Sequence, residues 1–370
     1  MSATYSRMPA GLTCLMYLAS AFLLAACATS SPPAPTEESS APTPASSTRT
    51  PAAVPPAAAA APSQDSVPPA QSAALRTLIE QQNRLYAVAA PILMSNFALC
   101  KRNAQNVTGF VAKSQFSYPG AVAGAARAAI GERLQIMTVF PGSGAQQSGL
   151  LPGDVLLAVG ETKVAAGPNA ERDGAKLIEA AGKGRAAMVL TVLRGTATLT
   201  INLPLSKGCA FDIELGNTDI VNAYTDGRRV MLTRGMLNFA RSDEDLALVV
   251  AKEIAHGALT QAARPGMRAM IDRLMLNQPA PATVRAPALQ PYVPVSDATA
   301  DKLALYMLAR ADGNVDNALG FWQRLAAQYP ASVANGYTAL HPATVYRVSV
   351  MKAVLPTIKL KKSNNLPLIP

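Results

Sequence analysis

The chain has 370 residues, enough for about two folded domains once a low-complexity N-terminal part is set aside. Its formal charge is +10, but the lysines and arginines are scattered, with only Lys359-Leu-Lys-Lys362 clustered. No RNP-like strand, helix-turn-helix signal or zinc-finger spacing accompanies that charge, which argues against a nucleic-acid partner and for a basic surface near anionic lipid.

Residues 1–27 read as a targeting segment. Arg7 supplies positive charge, Leu12 to Ala21 is largely apolar, and the segment ends Leu23-Leu24-Ala25-Ala26-Cys27. That ending resembles a bacterial lipobox, in which the cysteine thiol accepts lipid. The resemblance implies a lipoprotein anchored at Cys27 in the bacterial cell envelope. Ala28 points to the outer membrane, facing the periplasm. An ordinary secretory signal or a short span is the plainer alternative. Residues 28–71, rich in Pro, Ala, Ser and Thr, cannot bury enough apolar surface to fold and read as a semi-extended tether. Of four cysteines, Cys14 lies in the signal and Cys27 is the lipid site. Cys100 and Cys209 remain, and an oxidising compartment would pair them as a disulfide. Two buried thiols are the alternative.

The spacing of Leu75, Leu78, Ile79, Leu85 and Val88 predicts a helix over 72–99, broken near Pro91. Leading helices are expected over 72–127, the last from Ala121 to Ile130. A strand candidate, Leu134 to Val139, then precedes Pro141-Gly-Ser-Gly-Ala145 and Gly149-Leu-Leu-Pro-Gly-Asp-Val-Leu-Leu-Ala-Val-Gly160. Ala187 to Leu193 and Thr196 to Leu205 form a hairpin through Arg194-Gly195. Both glycine turns and the Gly153-Asp154 step resemble the PDZ domain of bacterial envelope proteases, so residues 128–208 are expected to form one. Such a domain implies a small β-sandwich or barrel with two helices, one carrying Leu177 and Ile178. An extended polypeptide or protein C-terminus would bind beside Gly131, Leu134 and Ile136; a PDZ fold that packs against its neighbour and binds no free tail is the alternative.

Cys209 to Leu215 and Asn222 to Leu237 read as strands leading into a helix. The next stretch, Asp245-Leu-Ala-Leu-Val-Val-Ala-Lys-Glu-Ile-Ala-His256, is an apolar helix. In it Lys252 and His256 share a face, with Glu253 one step round. Further on come Asp297-Ala-Thr-Ala-Asp301, Phe321-Trp-Gln-Arg-Leu325 and Leu340-His-Pro-Ala-Thr344. Together these motifs, over 209–352, resemble the HtpX/BepA-type zinc metallopeptidases, gluzincins marked by H-E-x-x-H and E-x-x-A-D. The resemblance implies an α+β, mainly helical zincin-like domain with a small sheet, into which the PDZ domain is inserted. Cys100 and Cys209 would then sit at the two necks of the insertion. Residues 353–370 are left as a basic tail.

Carried over by position, His256 is a zinc ligand, Asp297 the acidic ligand, Glu253 the general base, His341 the oxyanion partner and Asp301 a residue that orients a ligand. The family's first histidine is here Lys252, whose ammonium has no lone pair and repels a dication. It would instead stand where the metal's charge was, paired with Asp297 or Glu253. Zinc is the only cofactor implied, and Lys252 argues against it. The expectation is therefore a degenerate peptidase that binds envelope polypeptides. An active zinc-dependent metalloendopeptidase in envelope protein quality control is the alternative, and a scaffold with neither function the third.

Overall fold

A computed structural model describes residues 67–259, 294–329 and 345–370. Helix α1 spans Pro69–Ser95 and starts on a proline, whose fixed φ suits the first helical turn. It does not break at Pro91. Pro91 and Ala87, four residues earlier, are both exposed, so water can take the carbonyl that proline leaves without a donor. Leu85, Val88, Ile92 and Leu93 form its buried stripe.

After α1 the chain enters a sheet unit through a narrow neck. Cys100 is disulfide-bonded to Cys209. Directly beyond, β1 (Ala104–Val107) pairs antiparallel with β8 (Ser206–Cys209). Between these two crossings lie β2 (Phe110–Lys113), α2 (Ala123–Ala129), β3 (Gln135–Val139), α3 (Gly144–Gln147), β4 (Val155–Val159), β5 (Thr162–Lys163), α4 (Ala170–Gly182), β6 (Ala187–Arg194) and β7 (Ala197–Pro204). The strands form one sheet in the order β2-β3-β4-β6-β7, with β5 paired to β4. Alternation along β6 sends Met188, Leu190 and Val192 into a core shared with Leu134, Ile136 and Leu156. The β6–β7 hairpin turns at Gly195, which has a positive φ of 59°.

The Gly153-Asp154 step has a structural explanation. Asp154 is buried, accepts the Leu151 amide at 2.9 Å, and holds the Arg194 guanidinium with both oxygens at 2.7 Å. Burial pushes its carboxyl up, but Arg194 and the Leu151 amide outweigh that and hold it below the usual range.

The sheet starts earlier than the sequence suggests. β2 lies in the stretch expected to be helical, at 110–113, and is the sheet's edge strand. Four residues with no strict alternation give too short a pattern to recognise. Gly131, Leu134 and Ile136, expected to line a peptide groove, lie at or before β3. That strand is paired on one side to β2 and on the other to β4. With both edges taken, it has no hydrogen-bonding groups to offer an added strand.

Beyond the neck, β9 (Asp212–Gly216), β10 (Ala223–Thr225) and β11 (Arg229–Thr233) form a three-stranded sheet in the order β10-β11-β9. α5 (Arg234–Phe239) follows, its first turn capped by Thr233 Oγ1, which accepts the Met236 amide. α6 (Asp243–Leu259) begins with three acidic residues, favourable at the positive end of its dipole. Nearly every α6 side chain after its first turn is buried, as in a helix surrounded by others. Its neighbours are α1, α7 (Pro294–Arg310), α8 (Ala318–Gln328) and the β10–β11 pair. α9 (Val345–Ser363) packs on α7 and α8; the stretch expected as a tail from 353 is the second half of this helix. The described part is thus mixed helix and sheet, and no helix among the described residues is long and apolar enough to cross a membrane.

Candidate functional site

Two helices build the site. α6 supplies Lys252, Glu253 and His256, and α7 supplies Asp297 and Asp301 one turn apart. The two helices pack face to face because Leu246, Val250 and Ile254 of α6 and Ala300, Ala304 and Leu308 of α7 share one core. That packing carries the polar residues inward with it, so all except His256 are at most 3% exposed.

Lys252 Nζ lies 2.8 Å from Asp301 Oδ1 and 3.0 Å from Asp297 Oδ1. A third helix adds a second cation: Arg347 of α9, fully buried, donates from Nε to Asp301 Oδ2 at 2.5 Å and from its terminal nitrogen to Asp301 Oδ1 at 2.8 Å. Its Nε is also 3.7 Å from Asp297 Oδ2. The Trp322 ring of α8 lies under both cations, 5.2 Å from Lys252 Nζ and 5.0 Å from the Arg347 guanidinium carbon. The formal charges of Lys252, Arg347, Asp297 and Asp301 cancel. Burial pushes the Asp301 carboxyl up, but Lys252 and Arg347 prevail and keep it below the usual carboxylate range.

His256 Nε2 is 2.9 Å from Asp297 Oδ1. A carboxylate only accepts, so Nε2 carries the proton in this pair and has no lone pair to offer. Burial holds the imidazole below its ordinary value, against the pull of Asp297. Glu253 is 3% exposed and makes no hydrogen bond among the described residues. Burial pushes its carboxyl up to about 8, against the pull of Lys252 and Arg347 and with the push of Asp297 and Asp301. At neutral pH it is mostly a neutral acid.

The comparison with known families then falls on this region. Residues 184–355 match Peptidase family M48. The matched span starts just before β6 and ends in α9, so it contains α6, α7, α8 and every site residue described above. No curated protein matches the chain at a significant level.

M48 peptidases are generally zinc-dependent, so the cradle must be tested for a metal. It does not fit one. The ammonium of Lys252 stands between Asp297 and Asp301, His256 spends its cleft-facing nitrogen on Asp297, and no group of three metal-binding side chains is gathered among the described residues. Asp297 Oδ1 and both oxygens of Asp301 already face nitrogen donors.

The structure brings together Lys252, Glu253, His256, Asp297 and Asp301. His341 lies outside the described residues, as does Cys27. Of the two partners expected for Lys252, the structure shows Asp297 and adds Asp301, and no ion pair with Glu253 forms among the described residues. Glu253 is its chain neighbour, one step round the helix. Sequence reasoning missed Arg347 and Trp322. The signal for Arg347 was an arginine four residues before Met351 on the apolar stripe of α9, where a charge is tolerated only with a buried partner.

Proposed function

We propose that this is a lipid-anchored cell-envelope protein whose M48-like domain has exchanged its metal centre for an internal ion cluster and binds polypeptides without hydrolysing them. The observation that carries this is Lys252 Nζ, 3.0 Å from Asp297 and 2.8 Å from Asp301. A buried ammonium there supplies the charge that two carboxylates need, and so keeps the cleft folded without zinc. The lipobox-like end at Cys27 and the tether after it support attachment to the outer membrane.

The sheet unit supports a PDZ-type role in binding. One end strand of its sheet is β2, the other being β7. Phe110 and Ala112 of β2 and Leu177, Ile178 and Ala181 of α4 are all half-buried against one core, which leaves apolar surface on both. Lys113, at the end of β2, donates to Glu171 of α4 at 2.6 Å and ties strand to helix. An extended chain or a protein C-terminus could add to β2 here, one strand away from the site read from sequence.

The retained Glu253, buried where the family places its base, favours the second reading, an active zinc endopeptidase. Metal analysis separates the two. Residues 64–370 and their Lys252→His variant would be exposed to zinc and dialysed. The proposal expects zinc in the variant at most, and retention of unfolded polypeptide by the parent without cleavage. One zinc per parent chain, with cleavage of an unfolded protein that chelation and Glu253→Gln both abolish, would establish the second reading instead.

A further inference from the structure

The end of α9 is not a loose tail. Leu366 donates its amide to the Lys361 carbonyl at 2.8 Å, and Lys361 Nζ reaches back to the Ile369 carbonyl at 2.7 Å. Leu368 packs against the main core, which pins the last residues as a hook over the helix end. This arrangement leaves Leu360 62% exposed, Leu366 52% and Ile369 49%. Three large apolar side chains held outward within one short segment cost solvation unless something covers them.

Their surroundings are basic. Lys352 and Lys359 are seven residues apart and so share a face of α9, and Lys362 follows one turn on. Lys359 is paired with Asp316 at 2.7 Å and Lys362 with Asp312 at 3.1 Å. All four of these side chains are more than half exposed, so water screens the pairs and leaves the lysines free to exchange partners. Apolar tips beside exchangeable lysines match the two layers of an anionic bilayer surface, acyl boundary and phosphate.

We propose that this C-terminal hook docks reversibly on an anionic lipid surface, with Leu360, Leu366 and Ile369 inserted and Lys352, Lys359 and Lys362 on the phosphates. It is a contact separate from Cys27 and needs no lipid anchor. It would hold the folded unit against the membrane at a defined face.

Residues 64–370 form one compact unit that contains the three apolar cores seen among the described residues. This piece lacks Cys27 and can be tested by co-sedimentation with vesicles. Expected is binding to phosphatidylcholine vesicles that contain phosphatidylglycerol, little binding to phosphatidylcholine alone, and a fall with added salt. Replacing Leu360, Leu366 and Ile369 together by serine should abolish binding with an unchanged thermal melt. Lys352→Gln and Lys359→Gln should each weaken it about fivefold. No binding, equal binding to both vesicle types, or a triple serine variant that binds like the parent would each overturn the proposal. Failure of the anchor reading would show separately, as full-length protein that takes up no lipid label.

Discussion

Lys252 Nζ and Asp301 Oδ1 lie 2.8 Å apart in a space where both side chains are 1% exposed. A pair so buried has shed its water on both sides, and its energetics depend on keeping every partner in place. Removing one charge leaves the others uncompensated, which costs more than the pair contributes.

Lys252→Met, which keeps the length and deletes the charge, is therefore expected to destabilise the fold by ~3–5 kcal/mol. Urea unfolding of 64–370 measures it. A change below ~1 kcal/mol would mean that Arg347 alone balances the two aspartates.

Glu253 gives stability a pH dependence of definite sign. Its carboxyl keeps a proton up to about 8 in the folded state, while in the unfolded chain it ionises near 4.3. Between those values the folded state binds more protons, so stability falls as pH rises. Glu253→Gln should remove this slope and stabilise the protein by ~2–3 kcal/mol at alkaline pH, with little effect below pH ~4. Melting temperatures measured across the pH range for both proteins decide it.

Asp301 works in the opposite direction. Lys252 and Arg347 depress its carboxyl, so its contribution is present above the unfolded value near 3.9 and is lost as pH falls through the folded one. Asp301→Asn should remove that acid dependence and also strand both cations. The expected result is a protein less stable at neutral pH and flatter in its acid unfolding curve.

The Cys100–Cys209 bond encloses a segment with a sequence separation of 109 residues. Closing a loop of that size in the unfolded chain is worth up to ~4–5 kcal/mol in the chain-entropy model. The paired substitution Cys100→Ala with Cys209→Ala should lower stability by a few kcal/mol. β1 and β8 beside it should keep the neck formed, so hydrogen exchange in those strands is expected to rise without global unfolding.

Gly235 lies in the first turn of α5, against a neighbouring loop. A Cβ there would strike the Asp219 carbonyl and the backbone of Ile220, which cannot swing aside as a side-chain tip can. Gly235→Ala is expected to cost ~1–3 kcal/mol by overpacking, measured by urea unfolding. A neutral result would show that the loop before β10 yields easily.

Much of this protein was legible in its sequence. The periodicity of α6 and the order of four motifs located the helical domain, because apolar stripes and motif spacings are local properties. The lysine at 252 already argued against a metal, since ligand chemistry belongs to the residue type. Tertiary structure decided what that lysine does. Only the packing of α6 and α9 on α7 shows that Asp301 and Arg347 complete its surroundings, and that His256 turns its nitrogen to Asp297. The same holds for β2, whose four residues carry no readable pattern and became an edge strand only through pairing with β3. Contacts between distant segments depend on burial and on which hydrogen-bonding edges are already taken, and neither is written in any single stretch of chain.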